Sequence, residues 1–460
     1  MNNKLSSLAG RISFGEKVGY SLGDAASNLY WKTFEFYLMI FYTDVFGVSA
    51  AAIGTMLLVT RLADAVADPV MGAIADRTRT RWGHFRPYLI WFAVPLAAAG
   101  VLTFTTPGLG GGGKIVYAYI TYSLLMFLYT AVNIPYTALM GVMTSNSSER
   151  TTISSIRFIG AFTAGIFVQY LTPSFVRFLG RGNDELGWQL TMVVYGILAV
   201  CMLFLCFATT RERVAPPPQQ KTDLGADLKA LTSSRPWQVL FAVMILVLAA
   251  LAIKGSDGAY YFKYFVHDES LLPPFLVSNG LAFVVAVVFA SFLAGIFGKK
   301  ALFMFAIGAG GVVIGGFWFV QPSQIMQIFA LQIVSSFIIG FNSPLVFAMF
   351  ADVADEAEWR SGRRNTGLVF ASAIFSTKAG WAIGAWMFGL LLSYSGYMPN
   401  VAQTAGALFG IVLATSWLPC VLMVAAALLM QFYPLSEAQM VKIEDDLKAR
   451  RGRADEAAAG

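Results

Sequence analysis

Charged side chains are scarce in this chain: Asp, Glu, Lys and Arg make up 13% of its 460 residues, while 57% are hydrophobic. A water-soluble domain usually carries about a quarter charged residues, so the composition excludes an ordinary soluble globule and places the chain in a lipid bilayer. Histidine is rarer still, with two, too few for the His-rich groupings of a membrane metalloenzyme. The three cysteines, Cys201, Cys206 and Cys420, fall inside apolar runs, positions that suit helix packing rather than an extracellular disulfide or a metal cluster. The net charge of +6 sits mostly in short connections between apolar runs, where it orients a membrane protein; no basic nucleic-acid-binding domain is present. A cleavable signal is not expected, because the first apolar run, from near Val18, contains Asp24, Lys32 and Glu35 and is too long and polar for a signal core.

What the chain has is apolar length. At roughly 20 apolar residues per crossing, twelve spans are predicted, centred near Tyr30, Leu62, Val94, Leu128, Phe167, Leu198, Ala250, Val285, Gly310, Ser336, Gly380 and Leu418. The connections at Asp76 to Pro87, Arg211 to Trp237, Lys299-Lys300 and Arg360 to Arg364 are basic, and the opposite set is short and mostly uncharged. The positive-inside rule then puts both termini in the cytoplasm. Arg177 and Arg181 are the exception, partly balanced by Asp184 and Glu185. The polar stretch from Thr210 to about Trp237, with Pro216, Pro217 and Pro218, reads as an extended linker plus a short surface helix. The expected organisation is a six-helix bundle (1–209), a cytoplasmic linker (210–237), a second six-helix bundle (238–435) and a cytoplasmic tail (436–460). Asn133-Ile134-Pro135 and Asn342-Ser343-Pro344, late in spans four and ten, are a faint echo between the halves.

Against that apolar background the buried charges stand out. Arg61, Asp64 and Asp68 lie in the middle of the second span on one helical face. Each costs about 2.5 to 3.5 kcal/mol at the bilayer centre, so they should persist only if shielded and useful, which points to a transporter. In the first span Asp24, Asn28, Trp31, Lys32 and Glu35 recur on one face over roughly 16 Å; they suit a wall of a hydrated cavity, with carboxylates for sugar hydroxyls and an indole for an apolar sugar face. The bland alternative is that Lys32 and Glu35 pair with each other. Lys378 lies deep in span eleven beside small Ala379, Gly380 and Gly384, which would let another helix approach and allow a charge link to Asp64 or Asp68. Lys254 and Asp257, three apart in span seven, read as a structural pair. Arg157 begins span five, where anchoring and binding are both open. Near the cytoplasmic ends, Asp352, Asp355, Glu356 and Glu358 face loops with Arg150, Lys299, Lys300 and Arg364, the ingredients of a charge latch between halves.

The runs Gly19 to Asp24, Phe41-Tyr42-Thr43-Asp44-Val45-Phe46-Gly47, Arg61 to Pro69, Thr80 to Pro87, Asn133-Ile134-Pro135-Tyr136, Asp352-Val353-Ala354-Asp355 and Gly396-Tyr397 together resemble the glycoside-pentoside-hexuronide:cation symporters. This is the branch of the major facilitator superfamily that includes the melibiose permease, and the resemblance covers nearly the whole chain. It implies an all-α membrane protein of twelve helices in two six-helix bundles, in the bacterial inner membrane, moving a glycoside with a cation by alternating access. It implies that Asp64, Asp68 and Thr130 belong to the cation site, with Lys378 close to the carboxylates, and that Asp24 and Arg157 serve the sugar. Asn28, Trp31, Asn133 and Trp381 join them as sugar-reading candidates, and Arg61 as a partner of the cation site. The sequence departs from the melibiose permease pattern at Asn133, where an acid is expected, at Ala67, where an Asn is expected, and at Thr137, where a Trp is expected. The first two remove a charge or an oxygen from the cation site, which favours H⁺ over Na⁺; the third turns substrate choice from galactosides toward xylosides, glucosides or glucuronides. Asp64 and Asp68 would be the ligands should the ion be Na⁺; no other metal and no cofactor is implied. The expected partners are the sugar, the ion and the bilayer, with a monomer as the working unit. The alternatives are a lipid or drug exporter on the same fold, which predicts a greasier cavity, and a non-transporting sensor or membrane enzyme, for which no signalling domain or nucleophile constellation is seen.

Overall fold

The computed structural model describes residues 12–144, 146–214, 231–361, 366–443, 445–447 and 449, and of residues 147, 148, 151, 361 and 366 the backbone only. The surface helix expected after Pro218, most of the tail beyond Lys448, and Arg364 lie outside the described residues. Everything described is helix or short connection, apart from one isolated bridge between Thr80 and Gly83.

The chain divides into two units. The first is Met1–Gln219 with Leu392–Ala402, and the second is Gln220–Leu391 with Gln403–Gly460. In the first unit, α1 (Phe14–Phe36) starts at Ser13, whose Oγ accepts from the Glu16 N–H at 3.2 Å, a side-chain cap for one of the donors a helix start leaves open. It leads through a turn at Leu38–Ile40 and a π-helical turn at Phe41–Val45 to α2 (Ala50–Arg77). Then follow α3 (Arg86–Trp91), α4 (Ala93–Thr103), α5 (Gly111–Met143), α6 (Ser147–Gly180) and α7 (Asp184–Thr209). α1 packs chiefly on α6 and α7, and α2 on α5. The second unit holds α8 (Arg235–Tyr260), a π-helical turn at Tyr261–Val266, α9 (Leu272–Phe297), α10 (Lys299–Gly315), a 3-10 turn at Gly316–Phe319, α11 (Ile325–Gly340), α12 (Asn342–Ser361), α13 (Thr366–Tyr394), α14 (Ala405–Thr415) and α15 (Trp417–Leu429).

Among the described residues ten helical stretches are long and apolar enough to cross a membrane. The other two predicted centres, Tyr30 and Val94, fall on helices of a different kind. α1 carries Glu16, Lys17, Asp24, Lys32 and Glu35 and so fails as an apolar run. The third is split at Phe92 into α3 and α4. The split has a chemical cause that recurs. Proline has no N–H to bond the carbonyl four residues earlier, and α3 ends at Trp91, α11 at Gly340 and α14 at Thr415, four residues before Pro95, Pro344 and Pro419. Large apolar side chains left open to the outside, such as Phe178, Val288, Phe319 and Met326 at 72 to 86% exposure, would be untenable in water and suit a lipid surround.

Two close approaches set the packing around the polar residues. A Cβ on Gly23 would lie 2.3 Å from the Tyr136 ring, and Tyr136 cannot move aside: it stacks on Tyr20 at 4.6 Å and donates to the Tyr20 carbonyl at 2.8 Å. In the second unit, Cβ atoms on Gly380 and Gly384 would meet the Ile245 and Ala249 carbonyls at 2.9 and 2.3 Å, so the small face beside Lys378 receives α8. Two motifs far apart in sequence also meet in the first unit. Tyr397 donates to an Asp44 carboxylate oxygen, Asn400 Nδ2 donates to the Asp44 carbonyl at 2.6 Å, and the Ala51 N–H donates to Ser393 Oγ at 2.9 Å.

Candidate functional site

The polar residues of the first unit form two linked groups. On α2, Asp64 is 6% exposed and Asp68 half-buried. Thr130, on α5 and 3% exposed, directs its hydroxyl to Asp64 Oδ1 in a short hydrogen bond and lies 3.4 Å from Asp68 Oδ1. One hydroxyl thus stands between two carboxylates a helical turn apart. Pro69 follows Asp68 inside α2, and Pro135 comes five residues after Thr130 in α5. Neither can bond the carbonyl four residues back, so the Ala65 and Ala131 carbonyls, each next to a site residue, lack their helical N–H.

The second group centres on Asp24, 9% exposed, whose Oδ2 accepts from Arg157 Nε of α6 at 2.9 Å. Its counter-charge thus comes from another helix, α6. Arg157 also lies over the Tyr136 ring at 5.9 Å, and Asn28 Nδ2 donates to the Asp24 backbone carbonyl at 2.9 Å. One contact links α1 to α2. Trp31, two turns along α1 from Asp24, receives the Arg61 guanidinium 4.8 Å from its ring centroid, an attraction of about 2 kcal/mol when desolvated. Arg61 is 5% exposed, and its Nε and Nη1 find no hydrogen-bond acceptor. Tyr129 lies 6.1 Å from Trp31, centroid to centroid. Asn133 lies one turn beyond Thr130 on α5 and is half-buried.

Lys32 and Glu35 bond each other at 2.6 Å, as the bland alternative has it, and Lys32 also lies over Phe36. Lys378 and Trp381 sit on α13 in the second unit. Lys254 and Asp257 do not form the pair their spacing suggests. Lys254 Nζ donates to Gln332 Oε1 at 2.6 Å and lies 3.4 Å from Ser335 Oγ, both on α11, while Asp257 accepts from Thr415 of α14. The i, i+3 spacing places two side chains on one face but leaves their rotamers free to find partners on other helices.

At the helix ends, several of the expected latch residues have partners within their own unit. Arg150 donates to the Thr144 and Gly141 carbonyls at 2.8 and 2.9 Å, covering the end of α5. Lys299 donates to Asp352, Lys300 bonds the Gln431 and Tyr433 carbonyls, and Arg360 pairs with Glu356 at 3.6 Å. Asp355 and Glu358 are half-buried on α12. Two acids foreseen in no role fix the first unit's edge. Glu212 accepts from the His84, Phe85 and Arg86 N–H groups at 2.8, 2.8 and 3.0 Å, and Glu16 binds Arg213 at 2.6 and 2.8 Å. That bond holds the Arg213 guanidinium above its ordinary range of basicity.

Sequence reasoning missed Tyr129, Tyr136 and the Lys254-Gln332-Ser335 contact. Tyr136 appeared only as part of a motif. Gln332, Ser335 and Ser336 carried a usable signal, three polar residues at i, i+3, i+4 in an otherwise apolar run.

Comparison with known proteins supports the same class of molecule. A family model described as MFS/sugar transport protein matches residues 19–437. The chain is 37% identical over 449 residues to the putative glycoside/cation symporter YagG of Escherichia coli (strain K12), covering 97% of both chains. It is 36% identical to the isoprimeverose transporter of Lactiplantibacillus pentosus, covering 94% of this chain and 91% of the relative. Among solved structures it is similar to the nucleoside transporter NupG, with a TM-score of 0.66 at 15% identity over 92% of this chain and 100% of that one.

Proposed function

Because the chain belongs to the MFS/sugar transport protein family, we propose that it carries a glycoside across the membrane together with a cation, by alternating access. The observation that supports this best is the Thr130 hydroxyl between the Asp64 and Asp68 carboxylates, an arrangement suited to a cation, set in a membrane helix in the same unit as the Asp24-Arg157 pair. Two carboxylates in low dielectric are costly unless a cation neutralises them. Binding the ion changes the relative energies of two conformations of the carrier, which is what coupling requires. Asp24 accepts and Arg157 donates hydrogen bonds to sugar hydroxyls, Asn28 and Asn133 add amide donors and acceptors, and Trp31 offers an apolar sugar face its indole.

The ion in this reading is H⁺. Ala67 and Asn133 supply one oxygen and one charge fewer than a Na⁺ shell would use, and a proton needs a single carboxyl oxygen. Arg61, buried beside Trp31, balances part of the negative charge. The substrate is a xyloside, glucoside or glucuronide, in keeping with relatives named for glycosides and isoprimeverose. Twelve crossings with both termini in the cytoplasm, in a bacterial inner membrane, complete the reading. Lys378 is a further candidate for charge balance and Trp381 for the sugar, and Arg150, Asp352, Asp355 and Glu358 are candidates for a cytoplasmic gate. Chemistry on the sugar has no part in it. The test is uptake of a panel of labelled glycosides into proteoliposomes under an imposed H⁺ or Na⁺ gradient. An inward H⁺ gradient should drive accumulation of at least one sugar above equilibrium; response to neither gradient for any sugar rejects symport, and response to Na⁺ alone rejects the proton.

A further inference from the structure

The second unit contains a buried acid that this transport scheme leaves unused. Asp257 of α8 is 0% exposed. One of its oxygens accepts from Thr415, which Pro419 leaves as the last residue of α14, and the other, Oδ1, meets no hydrogen-bond donor. Its titratable neighbours along the chain are Lys254, one turn before it on α8, and Tyr261, one turn after, whose hydroxyl is also without a partner. Lys254 is turned away, to Gln332 Oε1 at 2.6 Å, Ser335 Oγ at 3.4 Å and the face of Phe317 at 4.9 Å.

An ionised carboxylate with one bare oxygen in such surroundings costs several kcal/mol, whereas a neutral acid accepting one hydrogen bond costs far less. We infer that Asp257 is a second proton-binding site, separate from the carboxylates of α2, whose carboxyl holds its proton while Lys254 is bound to Gln332 and whose ionised form takes Lys254 as its counter-ion. The step balances simply. The carboxyl O–H bond breaks, the proton goes to water, and the Lys254 ammonium exchanges a neutral amide for the new carboxylate. Their i, i+3 spacing allows the contact by a change of lysine rotamer. The protonated arrangement carries one net positive charge and the ionised one carries none, so the ammonium has a reason to move. Gln332 and Ser335 hold the ammonium meanwhile, with Ser335 Oγ also bonded to the Gln332 carbonyl at 3.1 Å.

The site stands whether or not the chain carries a glycoside, so its test uses no sugar. Full-length protein in lipid nanodiscs is titrated while infrared difference spectra follow the carbonyl band of protonated carboxylic acids. One component of the band, present at neutral pH and lost on alkalinisation, should vanish in Asp257→Asn and survive in Asp64→Asn and Asp68→Asn. Lys254→Gln removes the counter-ion of the ionised form, so the band should persist to higher pH by about one to three units. Should Asp257→Asn fail to fold, Thr415→Val keeps the acid but removes its hydrogen bond, and the band should move in frequency without losing intensity. A band indifferent to the Asp257 and Thr415 changes, or one whose midpoint ignores Lys254→Gln, overturns the proposal.

Discussion

A threonine hydroxyl has one proton to give, and Thr130 stands where two carboxylates compete for it. A hydrogen bond to a charged group contributes about 1.5 to 3 kcal/mol, equivalent to about tenfold or more in an equilibrium. Thr130→Val should therefore cut gradient-driven sugar accumulation by about tenfold while sugar counterflow without a gradient continues, and Thr130→Ser should stay near the parent; uptake and counterflow in the same vesicles measure both. Part of this was legible in the sequence. Charge in the middle of an apolar run is conspicuous, so Asp24, Arg61, Asp64, Asp68 and Arg157 all emerged as candidates. The resemblance already grouped Thr130 with Asp64 and Asp68, 66 residues away in the case of Asp64, but the bond between Asp24 and Arg157, 133 residues apart, was not legible from the residues. Lys254 and Asp257 show the same limit from the other side, since neighbours on one face bond to different helices.

Helices here are bounded by local chemistry and held by close contact. Apolar length located ten stretches correctly and the prolines mark where three helices break, but the sequence read the third span as continuous because Pro95 sits inside an apolar run. Gly23 is small because Tyr136 fills the space above it. Gly23→Ala should destabilise the first unit by about 1 to 3 kcal/mol, seen as a lower thermal unfolding midpoint in detergent; an unchanged midpoint would mean that the tyrosine pair yields. Glu212 receives the first N–H groups of α3 and the turn before it, and Gly83 must lack a side chain because its Cβ would fall 2.4 Å from that carboxyl, at a φ of +112°. Glu212→Ala leaves three donors to water and should cost about 1 to 3 kcal/mol. Faster amide exchange across residues 83–86 would confirm that the loss is local, whereas faster exchange throughout α2 and α5 would place Glu212 in a wider role.

For the whole chain, Leu392–Ala402 groups with the first unit, where Tyr397 and Asn400 bond Asp44, a grouping that no local pattern announces. The motifs Phe41 to Gly47 and Gly396-Tyr397 looked like separate family marks and turn out to share a hydrogen bond. Sugar choice stayed beyond the sequence for a related reason: in the proposed reading it depends on how Asp24, Arg157, Trp31 and Asn133 are spaced and not on their presence. Coupling is a different matter. In the proposed mechanism it needs only that occupation of the α2 carboxylates by a cation be felt by the carrier, and Asp68→Asn isolates that step, since the amide resembles a permanently protonated acid. In proteoliposomes that variant should lose all H⁺-driven accumulation of the transported glycoside while still exchanging labelled for unlabelled sugar across the membrane. Uphill accumulation retained at the parent level would remove Asp68 from the coupling role and contradict the mechanism.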